Sequence, residues 1–557
     1  MRRIFTFFFI LSGYFGTQAQ VNDPLVDIIR KEMKREFEYL SKEEYKPYYI
    51  AYSVDDYDFY QLNVSKGSII TENTDKGRLL SCQLKVGSYE LDNTRDVNGF
   101  GIGFNGGISS VPIPLVNDEP VITQYIWSLT DQAYKKARDE YKTVLNSDLG
   151  EKEVVADFSK GESNKYIEPF IENPINLDKE KWKDFLTILT SSFMEIDDLI
   201  TASAFLNVAN ERKYLISNDG NEIVQNFPRF ELYVSASVHA EDRTEVPLYL
   251  SYYGLEESDI PEQSEIMNNV EALKEKLELL KTAPKADPYT GPAIFSADVT
   301  GVFFHEIFGH RMEGHRLKYE SDGQTFKDKL GESVLPKYLT VVSDPTMERI
   351  ENKRLTGFYK YDDEGVKARK VTLVENGKLS NFLMSRTPME HFSNSNGHGR
   401  SQTGLTPVSR QSNLIIKSTQ SYSDEELKKK LIKLCKKEKN PYGYFFKKVT
   451  GGFTNTDRFS PNSFNITPTE VYRIYPDGRE ELIRGVDIIG TPLAMFSEIS
   501  ATGGDYKTFY GYCGAESGSI PVTATAPAIL VNKIETQKKP SFEINLPILP
   551  SPEKAEK

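Results

Sequence analysis

The sequence predicts an α+β protein of more than one domain, and three observations carry that prediction. At 557 residues the chain exceeds what a single hydrophobic core usually supports. Its first half mixes helical and strand periodicities. A Pro/Gly-rich stretch, Ala283 to Pro292, then separates that half from a segment in which strand and turn patterns dominate.

The first residues follow a secretory plan. Arg2 and Arg3 precede the apolar run Ile4 to Leu11, and Thr17-Gln18-Ala19 offers small residues for cleavage after Ala19. That run is too short for a membrane span, which needs roughly 20 apolar residues, and no stable membrane anchor is expected. Export, with the periplasm as destination, is the expectation. Without residues 1–19 the chain carries 66 basic and 81 acidic side chains, a net charge of −15. Such a surface repels phosphate backbones, so nucleic acid is excluded as a partner. Cys82, Cys435 and Cys513 are too few for a disulfide framework; the first two read as buried small hydrophobes.

Leu25, Ile28, Ile29, Met33 and Phe37 recur at helical spacing and predict an amphipathic helix over 24–40. From Tyr48 to about Val116 the pattern alternates, as in Tyr60 to Val64 and Cys82 to Val86, and predicts antiparallel strands. Helices are expected again at 122–146, 178–194 and 261–282, with Phe230 to Ser235 as a strand between them. Beyond the Pro/Gly stretch one helix is expected from Asp298 to Arg316. A hairpin follows at 370–383 with Asn376-Gly377 at its turn, a second surrounds Asp477-Gly478, and a solvated helix spans 423–439. The expected organisation is a leader at 1–19, an N-terminal α+β domain at 20–285, a mostly antiparallel β domain at 286–535 and a poorly ordered tail at 536–557.

Three of the six histidines, His305, His310 and His315, fall within eleven positions. A hydrolytic zinc site needs two neutral imidazoles, a third protein ligand and a carboxylate beside metal-activated water. His305 and His310 supply the imidazoles. Glu306 is the candidate general base, taking the water's proton and later delivering it to a leaving amine. The spacing is unusual. Positions five apart lie about 140° around a regular helix, whereas positions four apart differ by only about 40°. A π-bulge near Phe308 and Gly309 would realign the pair, and Gly309 offers backbone freedom there. His315 could ligate, orient substrate or face solvent. His239, His391 and His398 are isolated.

The segment Gly301 to His315, with Tyr361-Asp362-Asp363-Glu364-Gly365-Val366, Val374 to Gly377, Asn396-Gly397-His398-Gly399-Arg400 and Gly511 to Val522, resembles the TldD/PmbA family of metallopeptidases. The likeness covers about 290–535. It implies a bilobal α+β architecture, with the zinc-site helix carried by a mostly antiparallel β C-terminal domain. It also implies one Zn2+ per catalytic chain held by His305, His310 and Cys513, hydrolysis of extended or unfolded peptides, and a homodimer or a heterodimer with a metal-free homologue. Cys513 suits that role, since zinc deprotonates a thiol and the flanking glycines allow close approach. His315-Arg316 stand where an acidic residue often follows the family motif, and His398 and Arg400 lie in a Gly-rich turn with no assigned role. Two alternatives are a catalytically silent partner subunit and a peptide-binding module with a structural zinc.

Overall fold

A computed structural model describes residues 23–97, 107–147, 155–319, 321–456, 464–490 and 492–539. The expected leader, and residues 540–557 of the expected tail, lie outside the described residues.

The first helix, α1 (Pro24–Leu40), coincides with its expected range because both of its start signals operate. Asp23 caps it by accepting from the Leu25 amide at 3.0 Å, and Pro24 occupies the first turn. Strands β1 (Pro47–Ser65) and β2 (Ser68–Val86) form a long hairpin. Its turn is made by Lys66 and Gly67, both at positive φ, the geometry a two-residue hairpin requires. With β3 (Ser109–Pro112), β4 (Lys165–Ile167), β5 (Leu199–Ser217), β6 (Glu222–His239) and β7 (Glu245–Gly254) they build one sheet in the order β3-β2-β1-β5-β6-β4, with β7 also paired to β6. All pairs are antiparallel except β4 with β6.

The period of two along β1 sorts this sheet into two faces. Tyr52 and Val54 pack under α1 and α2 (Glu119–Leu145), while Tyr60 and Leu62 pack under α3 (Lys179–Ser191) and α4 (Gln263–Thr282). Asp55, Tyr57, Phe59 and Gln61 point the other way, toward residues of the C-terminal half.

The second sheet has eleven strands and curls on itself. Gly518–Lys538 pairs with Val486–Ile489, which pairs with Phe464–Ile474, then Gly443–Thr454, then Tyr289–Phe295, and the last returns to Gly518–Lys538. Asn413–Ser418, Leu339–Ser343 and Val371–Glu375 extend it on the other side. The architecture is α+β, and the C-terminal part is mostly antiparallel β, as expected. Both predicted hairpins form; Asn376 and Gly377 adopt positive φ at the turn of the first. The helix Asp424–Glu438 turns its lysines to solvent but buries Leu427, Leu431 and Cys435 against the sheet.

Two expectations are corrected. The Pro/Gly stretch is not a free linker throughout: Tyr289–Phe295 is a strand with Tyr289 buried, its hydroxyl donating to the Tyr442 carbonyl at 2.8 Å, and Arg484 donates to the Ala283 carbonyl at 2.9 Å. The signals for a break were real, but the apolar run Ala293-Ile294-Phe295 has a core to enter. The first residues of the expected tail at 536–557 are strand as well. The last strand runs to Lys538, because Ile534 and Thr536 are buried and the backbone still finds partners at Ile488 and Tyr289. Among the described residues no helix is long and apolar enough to cross a membrane.

Candidate metal centre

The helix that carries the two histidines changes pitch three times. Ser296 caps Ala297–Phe303 by accepting from the Val299 amide; the chain then widens into a π-turn at Phe304–Phe308, tightens to a 3-10 turn at Gly309–Met312 and resumes as Gly314–Lys318. The π-turn absorbs the extra residue between His305 and His310, and the two rings converge with centroids 5.1 Å apart. The distortion therefore begins four residues earlier than the expected bulge at Phe308 and Gly309. Phe303, Phe304, Ile307, Phe308 and Met312 anchor it in the largest core.

Gly309 contributes space rather than backbone freedom. Its φ is an ordinary helical −58°, but a Cβ there would stand 1.8 Å from Oε1 of Gln411. Gln411 uses that closeness to donate from Nε2 to the His305 carbonyl at 3.2 Å. Carbonyls left over by the irregular turn are satisfied by Arg311, whose Nη1 donates to Ile307 O at 3.0 Å and Glu306 O at 3.3 Å.

Cys513 arrives from the strand Ile499–Ala515, more than two hundred residues later, and places Sγ 3.4 Å from His310 Nε2. The donor atoms of His305, His310 and Cys513 all lie within 4.8 Å of one another, and all three residues are buried. Donors bound tetrahedrally to one zinc, with Zn–S about 2.3 Å and Zn–N about 2.0 Å, stand roughly 3.6 Å apart, so the thiol-to-imidazole spacing fits that ion. The charge state of the thiol fits as well. Burial opposes ionisation of Cys513, but the combined charges of His310, Arg410 and His305 outweigh it and hold the thiol well below its ordinary range. Burial opposes charge on His310 too, but there the Cys513 and Glu313 charges favour the imidazolium, a proton that a metal ion binding at the ring nitrogen displaces.

His310 has a dedicated orienting group. Glu313, fully buried, takes a hydrogen bond from Nδ1 at 3.1 Å, which leaves Nε2 free to face Cys513. Burial raises the Glu313 carboxyl's cost, yet His310 and Arg316 hold it below the usual carboxylate range. Arg316 donates to Glu313 at 2.8 Å and to Glu516 at 2.8 Å, so it ties the helix to the turn just after Cys513. Arg410 completes the tie by donating to the Cys513 carbonyl and, at 2.7 Å, to Ser517. Glu306 lies on the same rim, with Oε2 3.9 Å from His310 Nε2, its side chain partly exposed and Gly452 packed against its stem.

The remaining candidates separate clearly. His315 is buried against Glu516 and is not among the converging donors. His398 is buried and bonded to Ser343 and Asn396; burial pushes its pKa down to about 3, so it is a neutral core group. Arg400 donates to the carbonyls of Gln411 and Pro521 and stacks on Tyr359, which braces Gln411, the residue bonded to the His305 carbonyl, against the strand paired with that of Cys513. His391 is exposed and His239 half-buried. Glu313, Arg410 and Gln411 were not foreseen from the sequence. Only Glu313 left a signal there, three residues after His310 and so on the same helical face.

Comparison with known proteins gives the same frame. Residues 288–538 match the family described as PmbA/TldA metallopeptidase C-terminal domain. A metalloprotease of Methanocaldococcus jannaschii is 27% identical over 477 residues, covering 84% of this chain and 94% of that one. A zinc metalloprotease TldD homolog of Saccharolobus solfataricus is 25% identical over 262 residues, 46% of this chain and 53% of the relative. The crystal structure of TldE from Thermococcus kodakarensis superposes with a TM-score of 0.62 at 15% identity, covering 92% of this chain and 100% of that one. The class these features define is a metallopeptidase built on an α+β scaffold. Within that class residues 288–538 carry the match to the TldD/PmbA family, and the relatives and the fold extend the likeness over most of the chain.

Proposed function

We propose that this chain is a zinc-dependent peptidase that hydrolyses bonds in extended or unfolded peptides, with Glu306 transferring the proton. The observation that carries the reading is the convergence of His305, His310 and Cys513 beside the Glu306 carboxylate. When bound there, Zn2+ supplies Lewis acidity toward a scissile carbonyl and toward water. A three-donor set leaves one position for that chemistry, unlike the closed four-donor set of a structural zinc. Glu306 takes a proton from the attacking water and passes it to the departing amine. Glu313 keeps His310 in the tautomer that turns Nε2 inward, and Gln411 and Arg311 hold the irregular backbone that aims both rings. The strand Gly443–Thr454 passes Glu306 at Gly452, and backbone pairing with a strand selects an extended peptide with little regard to its sequence.

The leader-like residues 1–19 and the acidic balance support work outside the cytoplasm, in the periplasm, and the family likeness supports a pair of subunits, either two copies or one with a metal-free homologue. Metal analysis of the purified protein, with peptide cleavage by wild type and Glu306→Gln, tests the central reading. Stoichiometric zinc and activity that falls by about 10²-fold or more in Glu306→Gln are expected. Protein without zinc would point instead to a silent partner subunit. Bound zinc with cleavage unchanged by the substitution would remove Glu306 from its role.

A further inference from the structure

A cavity of about 580 Å³ lies between the inner face of the N-terminal sheet and the hairpin that carries Cys513. Its volume is that of a small-ligand site. Strands β1, β5 and β6 form one wall, and the segments around Tyr359, Arg400 and Tyr512 form the other. The second wall begins next to the metal centre. Tyr512 immediately precedes Cys513, and Ile520, which also lines the cavity, is the cross-strand partner of Cys513 and packs against it. The cavity and the third donor therefore share one hairpin.

Six carboxyl groups line it, Asp55, Asp58, Glu211, Glu231, Asp362 and Asp363, against the cations Lys213, Arg229 and Arg400. The cations are already engaged. Lys213 serves Asp363 at 3.3 Å and the Ser401 carbonyl at 3.0 Å, Arg229 pairs with Glu211, and Arg400 is committed to two backbone carbonyls. Most of the acids are matched as well. Asp362 accepts three backbone amides, Glu231 accepts from Tyr512 and Asn207, and Asp58 pairs with Lys76.

Asp55 is the exception. It is 8% exposed, sits on the face of β1 that fronts the cavity, and has an Oδ1 without a hydrogen-bond partner. The carboxyl's other contacts run to Glu211 and Thr403, and the attraction of Lys213 offsets only part of the repulsion from Glu211. A buried carboxyl oxygen left unmatched loses its hydration without return, and a cation entering the cavity would restore what was lost. Burial, and then the charge of neighbouring Glu211, hold this carboxyl well above its usual range, a condition that an adjacent ammonium relieves. Tyr57, Phe59, Phe227 and Tyr361 supply apolar and π surface for the stem of a cationic group.

We propose that this cavity is a substrate subsite for a cationic group of the peptide, an ammonium borne by a lysine side chain or by the free amino terminus, with Asp55 as its counter-ion. The inference rests on the peptidase reading and adds a substrate class to it. Binding is measured to the full chain carrying Glu306→Gln, using four hexapeptides that differ only in lysine or norleucine at one position and in a free or acetylated amino end. A cationic group is expected to strengthen binding by about tenfold or more, and Asp55→Asn is expected to bring the ratio of cationic to neutral peptide close to one. Loss of the preference on acetylation assigns the amino terminus; loss on replacing lysine by norleucine assigns the side chain. Competition by n-butylamine against the preferred peptide makes the same test without altering Asp55. Equal affinity for all four peptides overturns the proposal, and so does a cation preference that survives Asp55→Asn. Failure of the peptidase reading has a different signature: wild type cleaves none of the four, whatever their order of binding.

Discussion

Cys82 in the N-terminal sheet and Cys513 in the C-terminal hairpin are equally hidden, at 1% and 2% exposure, yet they ionise in opposite directions. Burial pushes the Cys82 thiol up to about 12, and Cys435, on the inner face of the helix Asp424–Glu438, up to about 11. Cys513 goes well below its ordinary value because His310, Arg410 and His305 favour the thiolate by more than burial opposes it. Burial alone keeps a cysteine a neutral thiol; burial beside groups that favour the anion suits it to hold a metal ion. What separates the regions is therefore the charge the fold delivers to each thiol. Cys82 faces Tyr52 and Thr130 beneath α1 and α2, whereas Cys513 meets two imidazoles and the Arg410 guanidinium.

The contrast can be broken by substitution. Cys513→Ala should weaken zinc binding by more than about a hundredfold, beyond the ten- to hundredfold typical of losing a residue that only orients a ligand. Competition with a chromophoric chelator measures it, and zinc retained at wild-type affinity would remove Cys513 from the site. Glu313→Gln belongs in the smaller range, roughly ten- to a hundredfold in the same assay, because Gln can still contact Nδ1 but cannot balance Arg316 and Arg410.

His398 sharpens the comparison from the other side, as a histidine treated the way Cys82 is. Its folded pKa is about 3, against about 6.5 in an unfolded chain. Between those values the unfolded chain binds a proton that the folded chain refuses, so stability falls as pH drops through that window and is fully present above it. The contribution approaches about 1.4 kcal/mol per pH unit. Denaturant unfolding from pH 7 to pH 4, for wild type and His398→Gln, should show a shallower pH slope in the variant, and identical slopes would contradict a neutral buried imidazole. The smallest effect is expected for Cys82→Ala. It should cost on the order of 1 kcal/mol of stability through lost packing and leave zinc stoichiometry unchanged, as metal analysis alongside unfolding would show.

Legibility in the sequence followed how local each cause was. The first helix matched because its cap, its proline and its apolar stripe lie within 17 residues, and the Asn376-Gly377 turn because φ is set by the two residues themselves. The distorted helix could be inferred from a spacing of five between His305 and His310, since regular geometry cannot bring such positions together. Its placement could not, because the π-turn is held by Arg311 and by Gln411, the latter from a distant segment. Gly309 misled for the same reason: a neighbour more than a hundred residues away requires the missing side chain, not the local backbone. Glu313 resembled any acid on a helix. The strand at Tyr289–Phe295 and the extension to Lys538 depended on which edges the second sheet had left to pair, information that no local window holds.

The wide separation of the three donors also sets a timetable. Cys513 lies 203 residues after His310, and at about 5–20 residues per second a ribosome needs roughly 10–40 s to bridge that interval. For all that time the nascent chain displays His305 and His310 without Cys513, so the three donors cannot converge. The centre is therefore among the last parts of these two sheets to be assembled, after the segments that orient and brace His305 and His310 have already been made.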